Sequence, residues 1–321
     1  MCIRDSNIGV PGIRVVDYPV AGYAYGNPYA ARFYNNPAGS PEQELEYMVD
    51  NMHPTFFTMW LGANDVLGYA LAGGQGNGTG YSSPGAGGVY NTSDISNFAA
   101  FESIYDTTIK IAISTGPSGG ALINIPDITK LPYFNTIPAN GLILRDQGAV
   151  DSMYALYPGS KYAFAVGANY FIIQDNAGKT RQAVPGELIL ITVSQDSIAC
   201  AGWGTSVAIP KQYVITTDEL QNIENAISII NAFIQKEALV YHLAYVDMNT
   251  FMNTVNTGYA YSGINYSTQY IAGGAFSLDG IHLTPRGYAL VANQIIAAVN
   301  ATYGSTVHPV DANQFNGILF P

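Results

Sequence analysis

Phe56-Phe57-Thr58-Met59-Trp60-Leu61-Gly62-Ala63-Asn64-Asp65 is the stretch on which the fold turns. Its first six residues form a nearly continuous apolar run, as expected for a strand covered on both faces in a parallel sheet. Asn64 and Asp65 then stand at the carboxyl end of that strand, where open α/β sheets place their sites. Outward from this strand, residues 98–114 are apolar at helical spacing through Phe101, Tyr105, Ile109 and Ala112. Residues 121–125 read as the next buried strand. A helix is predicted over 217–236, with Thr217 as its cap and Ile223, Ile227, Ile230 and Ile234 facing the core. Residues 243–248 read as a third strand, and 288–299 carry an apolar helical face. Buried strands alternating with amphipathic helices predict a three-layer α/β/α sandwich with a mainly parallel sheet.

The intervening segments are of other kinds. Residues 7–17 read as a strand end and a turn, and 18–41 as a loop rich in Tyr, Asn, Pro and Gly. A short helix is predicted over 41–52, with Leu45, Met48 and Val49 inward. Residues 67–97 form a long Gly/Ser/Tyr/Asn loop, read as a substrate-side lid because it starts beside Asn64. Residues 131–210 break the alternation. Short strands predicted at 162–166, 170–173, 188–193, 207–209 and 213–215 make this region an inserted antiparallel, β-rich cap over the carboxyl ends of the sheet. Residues 250–277 read as a further Tyr/Asn/Gly loop.

Composition narrows the function classes. The 321 residues are 48% hydrophobic and only 11% charged, which excludes a disordered chain. A net charge of −11 argues against nucleic acid and anionic membrane surfaces as partners. No apolar run reaches the length of a membrane span. Cys2 and Cys200 suggest neither a disulfide framework nor a zinc site, and Cys200 is expected to be a buried free thiol. No cofactor or metal is expected. Abundant Tyr and Gly with scarce Lys suggest an exported bacterial protein, periplasmic, outer-membrane-associated or secreted.

The chemistry concentrates in Asp279-Gly280-Ile281-His282-Leu283-Thr284-Pro285. A carboxylate lies three residues before an imidazole, with Thr284 placed as an N-cap and Pro285 as the first helical residue. A tight turn holding such a pair lets the carboxylate accept one imidazole N–H, fix the tautomer and leave the other nitrogen free as a base. His53, His242 and His308 lack such a partner and read as structural or terminal residues. Trp60 and Trp203 read as packing residues. Asp127, after the second strand, reads either as a substrate contact or as a turn residue capping nearby N–H groups.

Asn7-Ile8-Gly9-Val10-Pro11-Gly12, then Leu61-Gly62-Ala63-Asn64-Asp65, then Asp279-Gly280-Ile281-His282 resemble, in that order, blocks two, three and five of the SGNH (GDSL-type) hydrolases. The resemblance spans the chain almost end to end, as one domain over 1–321. It implies a serine esterase or lipase acting on acyl or acetyl esters of lipids or glycans. Asp279 and His282 would belong to the catalytic triad, and the Gly12 N–H and the Asn64 amide would form the oxyanion hole.

The nucleophile block departs from the family pattern. Asp5-Ser6 is the only trace of Gly-Asp-Ser-Leu, and only five residues separate Ser6 from Gly12. The two belong at the ends of different parallel strands, and such a crossover needs about a dozen residues. The first strand and its serine, with any signal peptide, are therefore expected to be missing, and the nucleophile is unassigned. A reading from another class is a non-catalytic glycan-binding module using the Tyr-rich loops 18–34 and 256–270. Glycan binding without ester turnover would favour it.

Overall fold

The computed structural model describes residues 7–117 and 119–318. In chain order the helices are α1 (Tyr23–Gly26), α2 (Pro41–Met52), α3 (Asn64–Leu71), α4 (Phe98–Ile113), α5 (Pro132–Asn135), α6 (Gln147–Leu156), α7 (Gln195–Cys200), α8 (Thr217–Val240), α9 (Met248–Thr257) and α10 (Pro285–Tyr303). The strands β1 (Phe56–Met59), β2 (Gly119–Ile123) and β9 (Ala244–Val246) form one parallel sheet in the order β1-β2-β9. Met59 pairs with Leu122, and Ile123 with Val246, so the three carboxyl ends lie along one edge.

Helices cover this sheet. Both α8 and α10 pack on β2 and β9, while α8 also packs with α3 and α4, and α10 with α9. The main core draws Phe101, Tyr105 and Ile109 from α4, Ile223, Ile230 and Ile234 from α8, and Leu290 and Val291 from α10. Burial of these stripes follows the 3.6-residue period of each helix. At the far end of α10 the Tyr303 hydroxyl bonds both the N–H and the C=O of Gly120, at 3.0 and 2.8 Å. Its ring meets Phe56 edge-on at 5.9 Å. Gly120 and Phe56 lie at the amino ends of their strands, so α10 runs against the strand direction. The helix has 19 residues, and at about 28 Å it outruns the five-residue β2, at about 17 Å. The turn before it therefore projects toward the carboxyl edge.

The region after β2 carries three two-stranded antiparallel ladders. They are β3 (Leu142–Leu144) with β4 (Gly167–Asn169), β5 (Ile172–Gln174) with β6 (Thr180–Gln182), and β7 (Leu188–Ile189) with β8 (Val214–Ile215). These share a second apolar cluster around Phe171, Ile172, Ile173 and Ile189. A small hairpin, β10 (Tyr259–Tyr261) with β11 (Ile264–Tyr266), precedes the Asp279 turn.

Several sequence expectations require correction. β1 is not covered on both faces: Phe56 and Thr58 are exposed and only Met59 is buried, because β1 is an edge of the described sheet. Residues 7–10 form no strand. The strand near 162–173 is shifted: Gly167–Asn169, in the gap between the two strands predicted there, pairs with β3, and 162–166 is irregular. The apolar run 188–193 pairs over only two residues. Thr216, not Thr217, caps α8, sharing a reciprocal capping box with Glu219. Residues 250–277 are no plain loop, since α9 and the hairpin occupy much of that span. The Asp247 side chain accepts the Thr250 N–H to start α9, and Phe251, Met252 and Val255 bury one face. Cys200 is exposed, at the end of a six-residue helix that buries none of its residues.

Candidate active site

The Asp279 turn is a dense hydrogen-bond knot. Oδ1 accepts the N–H groups of Ile281 and His282, both at 2.9 Å, and the Ser277 hydroxyl at 2.7 Å. Oδ2 lies 2.7 Å from His282 Nδ1. Burial pushes the Asp279 carboxyl upward, but the Ile281 N–H, the His282 ring, the Ser277 hydroxyl and the His282 N–H together hold it well below the usual carboxylate range. An ionised carboxylate on Nδ1 selects the tautomer that leaves Nε2 unprotonated. The His282 side chain is 67% exposed, and Nε2 has no partner among the described residues. Thr284 Oγ1 accepts the Gly287 N–H and caps α10, with Pro285 at its first position, as the sequence predicts. Gly280 sits at φ +73° with its C=O accepting the Tyr133 N–H at 3.0 Å, where a side chain would collide with Tyr133. This bond fastens the turn to α5, which follows the carboxyl exit of β2.

Gly12 and Asn64 form a second group. Gly12 sits at φ +79°, exposed, with open space around it and no hydrogen bond to its N–H among the described residues. Asn64 opens α3, and its Nδ2 donates to the Ile13 carbonyl at 3.0 Å. A carboxamide has two N–H donors. One is held by Ile13, which fixes the plane of the amide and leaves the other free beside the Gly12 turn. No hydrogen bond among the described residues joins this group to the Asp279–His282 pair. What they share is the carboxyl edge: Asn64 lies five residues past the end of β1, and His282 lies at the projecting end of α10. Ser6, the weak nucleophile candidate, lies outside the described residues.

Two supporting features escaped the sequence reading. Asp65 is fully buried, and its Oδ2 accepts the Val15 N–H at 2.9 Å. Burial raises its carboxyl to about 7, against the pull of the Val15 N–H and the nearby Ser96 hydroxyl. Oδ1 and Ser96 Oγ are buried without a hydrogen bond. Arg14, also buried, pairs with Asp17 through Nε at 3.1 Å and Nη2 at 2.6 Å. Its guanidinium also donates to the carbonyls of Tyr90 and Asn91 at 3.0 and 2.9 Å. The Arg-x-x-Asp spacing was the visible signal; the partners some 76 residues away were not.

The segment read as a lid is fastened at several points. Besides Arg14, the Lys211 ammonium donates to the Gly73 carbonyl, the Ser96 N–H donates to the Asp65 carbonyl at 2.9 Å, and Ile95 is fully buried. Asp127 caps a turn: its Oδ1 accepts the N–H and hydroxyl of Thr129, at 3.0 and 2.6 Å. Among the described residues no group of three or more His, Cys, Asp or Glu is placed to hold a metal ion, and no helix is long and apolar enough to cross a membrane.

The chain matches no curated protein and no solved structure. A family model described as GDSL-like Lipase/Acylhydrolase matches residues 6–295, a span that takes in the Gly12 turn, the Gly62-Ala63-Asn64-Asp65 segment and the Asp279–His282 pair. The chain belongs to that family of esterase- and lipase-type hydrolases.

Proposed function

We propose that the chain carries the base and oxyanion parts of a serine esterase cleaving acyl or acetyl esters of lipids or glycans, with His282 as base, Asp279 as its orienting carboxylate, and Gly12 and Asn64 as oxyanion donors. The observation that carries this reading is the 2.7 Å contact from Asp279 Oδ2 to His282 Nδ1, with the opposite ring nitrogen open to solvent. In the reaction a serine oxygen attacks the ester carbonyl and His282 Nε2 takes its proton. Asp279 stabilises the resulting imidazolium. The carbonyl oxygen, now negative, takes hydrogen bonds from the Gly12 N–H and the free Asn64 N–H. One such donor lowers the barrier by roughly 2.7–4 kcal/mol. Collapse releases the alcohol, which takes the proton from His282, and leaves an acyl-enzyme. Water then attacks the acyl-enzyme while His282 Nε2 takes its proton, and collapse releases the acid as that proton returns to the serine oxygen.

This reading includes a three-layer α/β/α arrangement. Its support is that α8 with α3 and α4, and α10 with α9, make separate groups against the same strands. It also includes residues 131–210 as a cap, supported by their own ladders and apolar cluster. The nucleophile is left unassigned in this reading, since only five residues separate Ser6 from Gly12 where a crossover between parallel strands takes about a dozen. A serine-directed phosphonate tests this directly. The chain should take no label, and should gain labelling and p-nitrophenyl ester turnover when residues 1–6 are replaced by a strand and helix carrying Gly-Asp-Ser. Turnover in that protein should vanish with His282→Ala. Labelling of Ser6, or turnover indifferent to His282→Ala, would overturn the assignment.

A further inference from the structure

A trough of about 450 Å³ opens where Asn124 and Asp247 leave the carboxyl ends of β2 and β9, along one side of α8. None of Gly12, Asn64, Asp279 or His282 lines it. Crevices at this position in parallel α/β sheets are where ligands bind, and the volume is in the range of small-molecule sites.

The lining selects a ligand class. Three carboxylates, Asp127, Glu224 and Asp247, face the trough and no Lys, Arg or His does, so anions are repelled. Ile227 and Ala232 are its only aliphatic residues, so an alkyl chain finds little to cover it. The carboxylates are not a free cation cage. Asp247 Oδ1 accepts Asn124 Nδ2 and the Thr250 N–H, at 2.9 and 3.0 Å, and Oδ2 accepts the Thr250 hydroxyl at 2.8 Å. Asp127 has one oxygen committed to Thr129.

The groups left over mix donors with acceptors. Glu224, Ser228 and Gln235, spaced along one stripe of α8, have no side-chain hydrogen bond among the described residues. Opposite them the Tyr245 oxygen accepts from Asn124 Nδ2 at 2.6 Å, which leaves its own O–H to donate. The fixed Asn124 amide also presents its Oδ1 to the Asn249 N–H at 2.9 Å, so the floor is locked before any ligand arrives. A neutral ligand whose every hydroxyl both donates and accepts fits this set, and an anion, an alkyl chain or a bare cation does not.

We propose that this trough is a second site, binding a neutral polyhydroxylated ligand such as a sugar ring, independently of the ester-cleaving residues. A reporter is built in. The Trp60 indole Nε1–H donates to the carbonyl of Asn124 at 3.1 Å, directly behind the lining. In the full chain labelled with ¹⁵N-tryptophan, methyl glucoside, methyl galactoside and methyl N-acetylglucosaminide are titrated to about 50 mM, with putrescine as a cationic comparison. At least one glycoside should move the Trp60 indole resonance saturably while leaving Trp203 in place, and putrescine should not. Ser228→Trp, which fills the trough from an exposed helical position, should abolish the shift. Glu224→Ala with Gln235→Ala, which removes two ligand hydrogen bonds, should weaken binding about tenfold. An unchanged circular dichroism spectrum establishes that each variant folds. No saturable shift with any glycoside, a shift with putrescine alone, or a shift that survives Ser228→Trp would overturn the proposal.

Discussion

Asp65→Asn should remove a pH dependence that the buried carboxyl imposes on the whole fold. Asp65 is fully buried, with its carboxyl raised from 3.8 to about 7. In the unfolded chain it titrates near its ordinary value, so between those limits the folded protein holds a proton that the unfolded chain releases. Stability therefore declines as pH rises through that window and levels off above it. Between pH 4.5 and pH 8 the loss from this one group is about 3 kcal/mol. Asparagine has the same shape and no charge. Its Oδ1 can keep the 2.9 Å bond from the Val15 N–H, and its N–H₂ can reach the unpaired Ser96 hydroxyl. Urea denaturation of both proteins at the two pH values gives the comparison. The advantage of Asp65→Asn over the parent should grow by about 3 kcal/mol from pH 4.5 to pH 8, the other titrating groups cancelling in the difference. Growth of less than about 1 kcal/mol would mean that Asp65 titrates as it does in water, and the argument from burial would fail.

Three further outcomes are expected. Asp279 has the opposite sign: its depressed carboxyl contributes stability present above about pH 4 and lost as pH falls below it, so Asp279→Asn should flatten acid unfolding in that range, read by circular dichroism. Arg14→Met leaves the buried Asp17 without its cation, and should cost about 3–5 kcal/mol in urea unfolding, most of it recovered by adding Asp17→Leu; a cost below about 1 kcal/mol would show that the pair does not hold the turn. Thr284→Ala removes the cap of α10 and should cost about 1 kcal/mol in urea unfolding; because His282 lies two residues away, it should also lower p-nitrophenyl ester turnover in the protein completed with Gly-Asp-Ser.

What the sequence made legible follows from how local each signal is. The Asp279–His282 contact is an i, i+3 pair in a turn set by Gly280, Thr284 and Pro285, and all of its determinants lie within seven residues. The helices α4 and α8 were legible because their apolar stripes run unbroken for four turns or more. α9 was not. Asn249, Thr250, Asn253, Thr254 and Thr257 are poor helix formers, and the helix stands because Asp247 caps it and Phe251, Met252 and Val255 find a core to enter. The ladders of residues 142–215 were misregistered for a related reason. Their strands are two or three residues long, and Gly167, which reads as a turn, pairs with Leu144 at a φ of +113°. Pairing partners decide such strands, and a period read along one of them does not.

The same distinction separates Gly12 and Asn64 from what holds them. Both can be named from short motifs, but the contacts that position them reach across 50 residues or more. Asn64 and Asp65 are adjacent at the start of α3 and grip the turn after Gly12 from two sides, the amide donating to the carbonyl of Ile13 and the carboxyl accepting from the N–H of Val15. Between these two grips lies Arg14, whose guanidinium reaches the carbonyls of Tyr90 and Asn91. The segment after α3 is thus bonded to the turn that follows Gly12. A displacement of residues 90–91 must either break the Arg14 bonds or carry the turn with it. The buried Arg14–Asp17 pair makes the first route costly, since freeing the guanidinium from two carbonyls leaves charge-bearing donors unsatisfied away from water. Residues 90–91 and the turn after Gly12 are therefore coupled through Arg14, one of several points at which this Gly- and Ser-rich segment is fastened.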